Sequence, residues 1–194
     1  MELEKILTEL EAFGSENDRV NTEYTRRMMN IPRETGQFLQ VLVMATRAQH
    51  ILELGTSNGY STLWLARGAR LTGGWVTTVD FNSYKIGLAR TNFEKAGMND
   101  IIIQVQDNGG NFLKRTTDSC MDFIFLDSAR AEYISWLPHV KRILTPGGLL
   151  VADNALSAQD ELQPFFNLVE SDPDFTTSLV PIGKGEYMAV KNRG

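Results

Sequence analysis

The sequence predicts an α/β protein built on a mainly parallel, doubly wound sheet. Three observations carry that reading. Short β-rich runs alternate with stretches of helical length. Two of the runs, Phe123–Leu126 and Leu149–Ala152, are apolar throughout, as strands covered on both faces are. The first run opens through a glycine-bearing turn into a helix, the arrangement at which open α/β sheets bind ligands. With 194 residues, 42% hydrophobic and 22% charged, the chain has material for one compact domain, 1–194.

Taken in order, residues 1–30 form a helical extension. Leu3, Ile6, Leu7 and Leu10 fall at helical spacing, and a polar break follows from Gly14 to Asp18. From Pro32, which suits a helix start, Phe38, Leu39, Leu42, Val43 and Thr46 recur on one face and lead into the strand His50–Leu54. Strands at Trp75–Val79, Ile101–Val105, Phe123–Leu126 and Leu149–Ala152 are separated by helices at Tyr60–Ala69, Ser83–Ala96, Asn108–Lys114 and Glu132–Leu144. Right-handed βαβ units of this kind put helices on both faces of the sheet. Pro146-Gly147-Gly148 reads as the turn entering the fifth strand. After a helix around Ala158–Glu170, the runs Phe175–Pro181 and Glu186–Val190, joined by Gly183-Lys184-Gly185, form a closing hairpin and complete seven strands.

A net charge of −5 disfavours a protein whose affinity comes from neutralising many phosphates, unless basic residues cluster locally. No apolar run approaches a membrane span, and MELEKILTEL lacks the apolar stretch of a secretory signal, so a cytoplasmic protein is expected. Cys120 is the single cysteine, which excludes an intramolecular disulfide and reads as a small core residue.

The chemistry concentrates in ILELGTSNGYSTLWLA. Gly55 and Gly59 permit close backbone approach, and Ser61 and Thr62 offer hydroxyls near a helix start. Ser57 stands where a dinucleotide site prefers a second glycine, which counts against a nicotinamide oxidoreductase. A tight turn with no ligand is the alternative. Asp80 ends the second strand, where a carboxylate can accept from both hydroxyls of a ribose. Glu53, inside the apolar ILEL run, is costly to bury alone and is expected to orient the glycine loop or touch a cofactor; a surface carboxylate is the alternative. Asp107 either lies near an adenine or is a turn residue. Tyr60 and Phe81 either flank a cofactor or pack.

ELGTSNGYSTLWLA, VDF, FLDSARAEY and GGLLVADN, in this order and spacing, resemble the small cation-dependent O-methyltransferases that include the catechol and caffeoyl-coenzyme A O-methyltransferases. The match covers roughly residues 29–154, and PIGKGEYMAVK is similar to that family's closing hairpin. The resemblance implies a Rossmann-like class I methyltransferase fold and an S-adenosylmethionine site formed by Gly55, Thr56, Ser57, Gly59, Ser61, Asp80 and Glu53, bordered by Ile31 and reaching Asp127. It also implies a homodimer.

Asp127 closes the fourth strand and Asp153-Asn154 the fifth. Two carboxylates and an amide carbonyl offer hard oxygen ligands for Mg²⁺, Ca²⁺ or Mn²⁺, whereas helix capping explains them only singly. In the family resembled, the matching Asp, Asp and Asn hold a divalent cation that chelates adjacent substrate oxygens. A cation touching a hydroxyl lowers its pKa and makes it a nucleophile. Where better-known relatives carry a lysine three residues after the first of these aspartates, this chain has Arg130, which cannot serve as a base. Arg130 either orients an anionic substrate or pairs with Glu132. The reading is then a metal-assisted O-methyltransferase for a small, catechol-like hydroxylated acceptor. A methyltransferase of a modified transfer-RNA base, for which Arg26, Arg27, Arg33 and Arg130 would form a basic face, and a non-catalytic adenosyl-ligand-binding module are the alternatives.

Overall fold

A computed structural model describes residues 2–193. The chain runs α1 (Glu2–Val20), α2 (Arg33–Thr46), β1 (His50–Leu54), α3 (Tyr60–Thr72), β2 (Trp75–Asp80), α4 (Ser83–Lys95), β3 (Ile102–Gln106), α5 (Gly109–Arg115), β4 (Met121–Leu126), α6 (Tyr133–Ile143), β5 (Leu144–Ala152), α7 (Gln159–Glu170), β6 (Phe175–Val180) and β7 (Glu186–Lys191). The strands lie in the order β3-β2-β1-β4-β5-β7-β6. The first five pair in parallel, while β7 is antiparallel to both β5 and β6, as the hairpin reading expects.

The apolar strands are apolar because both their faces are covered. On β1 and β4, Ile51, Phe123 and Phe125 pack into one core with Leu39, Val43, Trp64 and Phe93. Leu52, Ile124 and Leu126 pack into a second core with Tyr133, Val140, Leu162 and Phe165. The period of two therefore sorts side chains between two interiors rather than between core and water.

Three expectations need correction. The polar segment Gly14–Asp18 does not break the first helix, which continues to Val20. Gly14 is buried against Asn30, where any side chain would collide, so packing requires glycine there despite its roughly 1 kcal/mol propensity cost in a helix. Pro146-Gly147-Gly148 is not a turn before β5 but part of it: the strand begins at Leu144, paired with Met121, and a register shift absorbs the irregular residues. Cys120 is not a core residue, being only partly covered. Among the described residues, no helix is long and apolar enough to cross a membrane.

Candidate functional site

The carboxyl ends of β2, β1, β4 and β5 open on a cavity of about 400 Å³. One wall is the segment between α1 and α2, with Met28, Asn30 and Ile31 on the lining. That wall is tied down twice. Asp18 accepts from the backbone N–H groups of Met28 and Met29, both at 2.6 Å, and Ser57 Oγ donates to the Met28 carbonyl at 2.7 Å.

The glycine loop is held from below. Glu53 is fully buried, not a surface carboxylate, and accepts from Ser61 Oγ and Thr78 Oγ1, each at 2.6 Å, and from Thr62 Oγ1. Thr56 Oγ1 lies 2.6 Å from Thr78 Oγ1 and extends the network. Burial pushes the Glu53 carboxyl up to about 7 despite these three donors. Glu53 thus orients the loop and does not line the cavity. Gly55 adopts φ +113° and Gly59 φ +87°; a Cβ on Gly55 would collide with the Asp127 carbonyl oxygen.

Asp80 is positioned by backbone on both sides. Oδ2 accepts from Ser57 N and Oδ1 from Asn82 N, each at 2.9 Å, which leaves each oxygen lone-pair capacity facing the cavity. Asn82 caps α4 with its side-chain oxygen and donates to the Thr25 carbonyl at 2.9 Å. Ile31, Thr56, Ser57, Tyr60, Ser61 and Phe81 all line the same space. The Tyr60 hydroxyl leaves it to donate to Glu11. Asp107 is elsewhere: its carboxylate is engaged by Arg115 and by Asn108 N, and it is not on the lining.

On the far side of the cavity, Asp127 and Asp153 end neighbouring parallel strands. Burial first, and the Asp153 carboxylate second, raise the Asp127 pKa above the ordinary range; burial raises Asp153 as well. Asn154, at φ +68°, donates from Nδ2 to Asp153 Oδ2 at 3.0 Å and accepts at Oδ1 from Arg130 Nη1 at 3.0 Å. Arg130 Nε donates to Glu161 Oε2 at 2.7 Å, so its ion-pair partner is Glu161 and not Glu132.

Among the described residues, no group of three or more His, Cys, Asp or Glu is arranged to hold a cation. The predicted trio mixes two carboxylates with an amide, a donor set that fits a hard cation in kind, but Asp153 is not on the cavity lining and its buried carboxyl lies against that of Glu186. The trio's amide oxygen is committed to Arg130, so a cation would have to exchange that bond.

Three titratable groups at or behind the site escaped the sequence reading. Lys85, in the first turn of α4, is 7% exposed and on the lining; burial pulls its pKa down, and the Asp80 charge opposes that. Lys184 lines the opposite side from the loop between β6 and β7. Glu186, fully buried, accepts from Thr35 Oγ1 at 3.3 Å, and burial and then Asp153 raise its pKa. Each reaches the site through strand order and helix packing, which local spacing does not encode. Of the arginines read as a basic face, Arg33 is bound by Glu4 and Glu11 and Arg26 lies over the Tyr84 ring at 4.3 Å, while Arg27 and Arg130 are on the cavity lining.

The sequence profile of a family described as O-methyltransferase matches residues 3–192. A catechol O-methyltransferase of Niastella koreensis is 32% identical over 140 residues, which is 66% of this chain and 59% of that protein. A catechol O-methyltransferase of Mycobacterium tuberculosis is 30% identical over 126 residues, 65% of this chain and 57% of that protein. The match therefore spans less than two thirds of the length of these relatives. Among solved structures, an O-methyltransferase from Bacillus cereus in complex with SAH superposes with a TM-score of 0.81 at 24% identity, covering 97% of this chain and 91% of that one. An SAH-bound methyltransferase of Podospora anserina does so at 0.83 and 20% identity, covering 97% and 88%. At these identities the likeness establishes the fold, that of the class I methyltransferases.

Proposed function

Because the chain belongs to the O-methyltransferase family, we propose that it moves a methyl group from S-adenosylmethionine to a hydroxyl oxygen of a small acceptor. The observation that carries this reading is the Asp80 carboxylate, fixed by two backbone N–H groups at the rim of the glycine-loop cavity and left with lone pairs for a ribose diol. Asp80 and Phe81 would hold the adenosine end, and Gly55, Ser57 and Ser61, with the Met28–Ile31 wall, would hold the amino-acid end. When bound, S-adenosylmethionine would supply a sulfonium methyl group for in-line transfer to the acceptor oxygen, with the thioether as leaving group and the hydroxyl proton passing to water.

The protein's part is placement and charge. Glu53 and Thr78 hold the loop that sets the sulfonium's position, and the Asp127 side of the cavity receives the acceptor, where positioning contributes several kcal/mol of barrier reduction. Asp127, Asp153 and the Asn154 carbonyl would hold a divalent cation, which when bound supplies Lewis acidity toward the acceptor oxygen. Catechol is the acceptor to try first, since two relatives are catechol O-methyltransferases.

Titration calorimetry with S-adenosylhomocysteine tests the cofactor assignment. Asp80→Ala is expected to weaken binding about 100-fold, two charge-assisted hydrogen bonds being worth about 3 kcal/mol together. Folded wild-type protein that does not bind the ligand would remove the methyltransferase reading. The cation assignment has its own readout. Arg130→Ala frees the Asn154 carbonyl and removes a positive charge, so Mn²⁺ binding followed by electron paramagnetic resonance is expected to tighten on the order of tenfold. Weaker Mn²⁺ binding in that variant would count against the trio as the cation site.

A further inference from the structure

The strand order lays the cavity out as a line. Asp80 follows β2, the glycine loop follows β1, Asp127 follows β4 and Asn154 follows β5. The next strand across, β7, is entered through the loop that carries Lys184. Lys184 therefore lies at the end of the cavity opposite the proposed ribose site and beside the place left for the acceptor.

Its backbone is pinned there. The Lys184 carbonyl accepts from Leu156 N and Ser157 N, both at 3.0 Å, and Gly185 O accepts from Ala155 N at 2.8 Å. The residues that follow Asp153-Asn154 thus hold the lysine in place. Gly183 and Gly185 both take positive φ, so the loop bends sharply on either side of it. Four cationic side chains line the cavity. Arg130 is bound by Asn154 and Glu161; Arg27 and Lys85 also lack a salt bridge among the described residues, but they lie toward the Asp18 and Asp80 side, away from the acceptor end. Among the described residues, the Lys184 ammonium has no carboxylate within 4.0 Å and no hydrogen bond, although its charge is felt by Asp127 and Asp153. A positive charge held at an open cavity without a partner has capacity for an anion supplied by a ligand.

We propose that Lys184 is a substrate-binding and catalytic residue that receives the acceptor's ionised hydroxyl oxygen, and so selects acceptors with an acidic hydroxyl, phenols and enols, over aliphatic alcohols. The proposal rests on the methyl-transfer reading and deepens it. The acceptor's proton passes to water, its oxygen is held as an anion against the ammonium, and an oxygen electron pair forms the bond to the sulfonium methyl as the C–S pair returns to sulfur. The products are the methyl ether, S-adenosylhomocysteine and one proton. Lysine suits this role as a compact point charge on a flexible stem.

The test titrates 4-nitrocatechol, whose ionisation is visible by absorbance, into the protein saturated with S-adenosylhomocysteine, with EDTA and separately with Mg²⁺. Wild type is expected to lower the ligand's apparent ionisation midpoint by about one pH unit, equivalent to about tenfold tighter binding of the anion. Lys184→Met is expected to abolish that shift, Lys184→Arg to keep most of it, and both to bind S-adenosylhomocysteine within twofold of wild type. A Lys184→Met protein that shifts the ligand as wild type does overturns the proposal, as does a large loss of cofactor affinity, which would assign the lysine to the cofactor. Wild type that binds the cofactor product without shifting 4-nitrocatechol overturns it too and leaves the methyltransferase reading standing. Wild type that binds neither removes both.

Discussion

Gly55→Ala is expected to cost about 3–5 kcal/mol of stability and to abolish measurable binding of S-adenosylhomocysteine. Two costs add at this residue. The backbone sits at φ +113°, outside the region that an L side chain adopts without strain, and the new Cβ would collide with the Asp127 carbonyl oxygen. That carbonyl cannot retreat cheaply, because Asp127 N is bonded to the Leu54 carbonyl at 3.0 Å and so fixes the strand end on which the carbonyl sits. Relief of the clash has to separate β1 from β4 where the proposed cofactor and acceptor sites meet. Gly73→Ala supplies the control: Gly73 has φ +75° and nothing within 4 Å of its would-be Cβ, so only the backbone penalty of about 1 kcal/mol applies. Urea unfolding of both variants separates the two costs, and equal losses would show that the collision with Asp127 is not what keeps position 55 a glycine.

This contrast also marks what could be read from the chain. Gly55, Ser61 and Asp80 were legible because a strand, its turn and the next helix are contiguous, and the turn chemistry is local. The strand His50–Leu54 has the predicted bounds because its residues must fill two cores at once, which leaves a short unbroken apolar run with one exception, Glu53. The failures share a cause. Gly14 reads as a breaker until Asn30 is seen against it, and Pro146-Gly147-Gly148 reads as a turn until the pairing of Leu144 with Met121 is known. Asp107 stays open between ligand and turn residue in the sequence, because its partner Arg115 lies across a helix start. Lys184 carried no signal at all, since a lysine between two glycines in a hairpin is the ordinary composition of an exposed turn. Only the placement of β7 beside β5 turns it toward the cavity.

Glu53, the exception inside the apolar run, makes stability depend on pH in a direction opposite to that of a salt-bridged carboxylate. Its pKa rises from the ordinary 4.5 to about 7 in the folded protein because burial outweighs three hydroxyl donors. Between these values the folded state holds a proton that the unfolded state has lost, so this residue's contribution falls as pH rises from about 4.5 to about 7 and is level above. At 1.36 kcal/mol per unit the decline is about 3 kcal/mol. Glu53→Gln removes the titration and keeps the shape, and its amide can still meet hydroxyls that rotate. The variant is therefore expected to exceed wild type by about 1 kcal/mol at pH 5, where only the unfolded carboxyl has lost its proton, and by about 3 kcal/mol at pH 8. Glu53→Ala is different in kind. It leaves the hydroxyls of Ser61, Thr62 and Thr78 buried around a void, at an expected cost of about 3–5 kcal/mol at pH 5. Urea midpoints at pH 5 and pH 8 for the three proteins provide the measurement. A difference between wild type and the glutamine variant that does not change with pH would mean that Glu53 is ionised throughout, stabilised by its donors more than burial opposes it. In that case the loop under the cofactor site is held by a charge, and the glutamine variant would lose affinity for S-adenosylhomocysteine as well as stability.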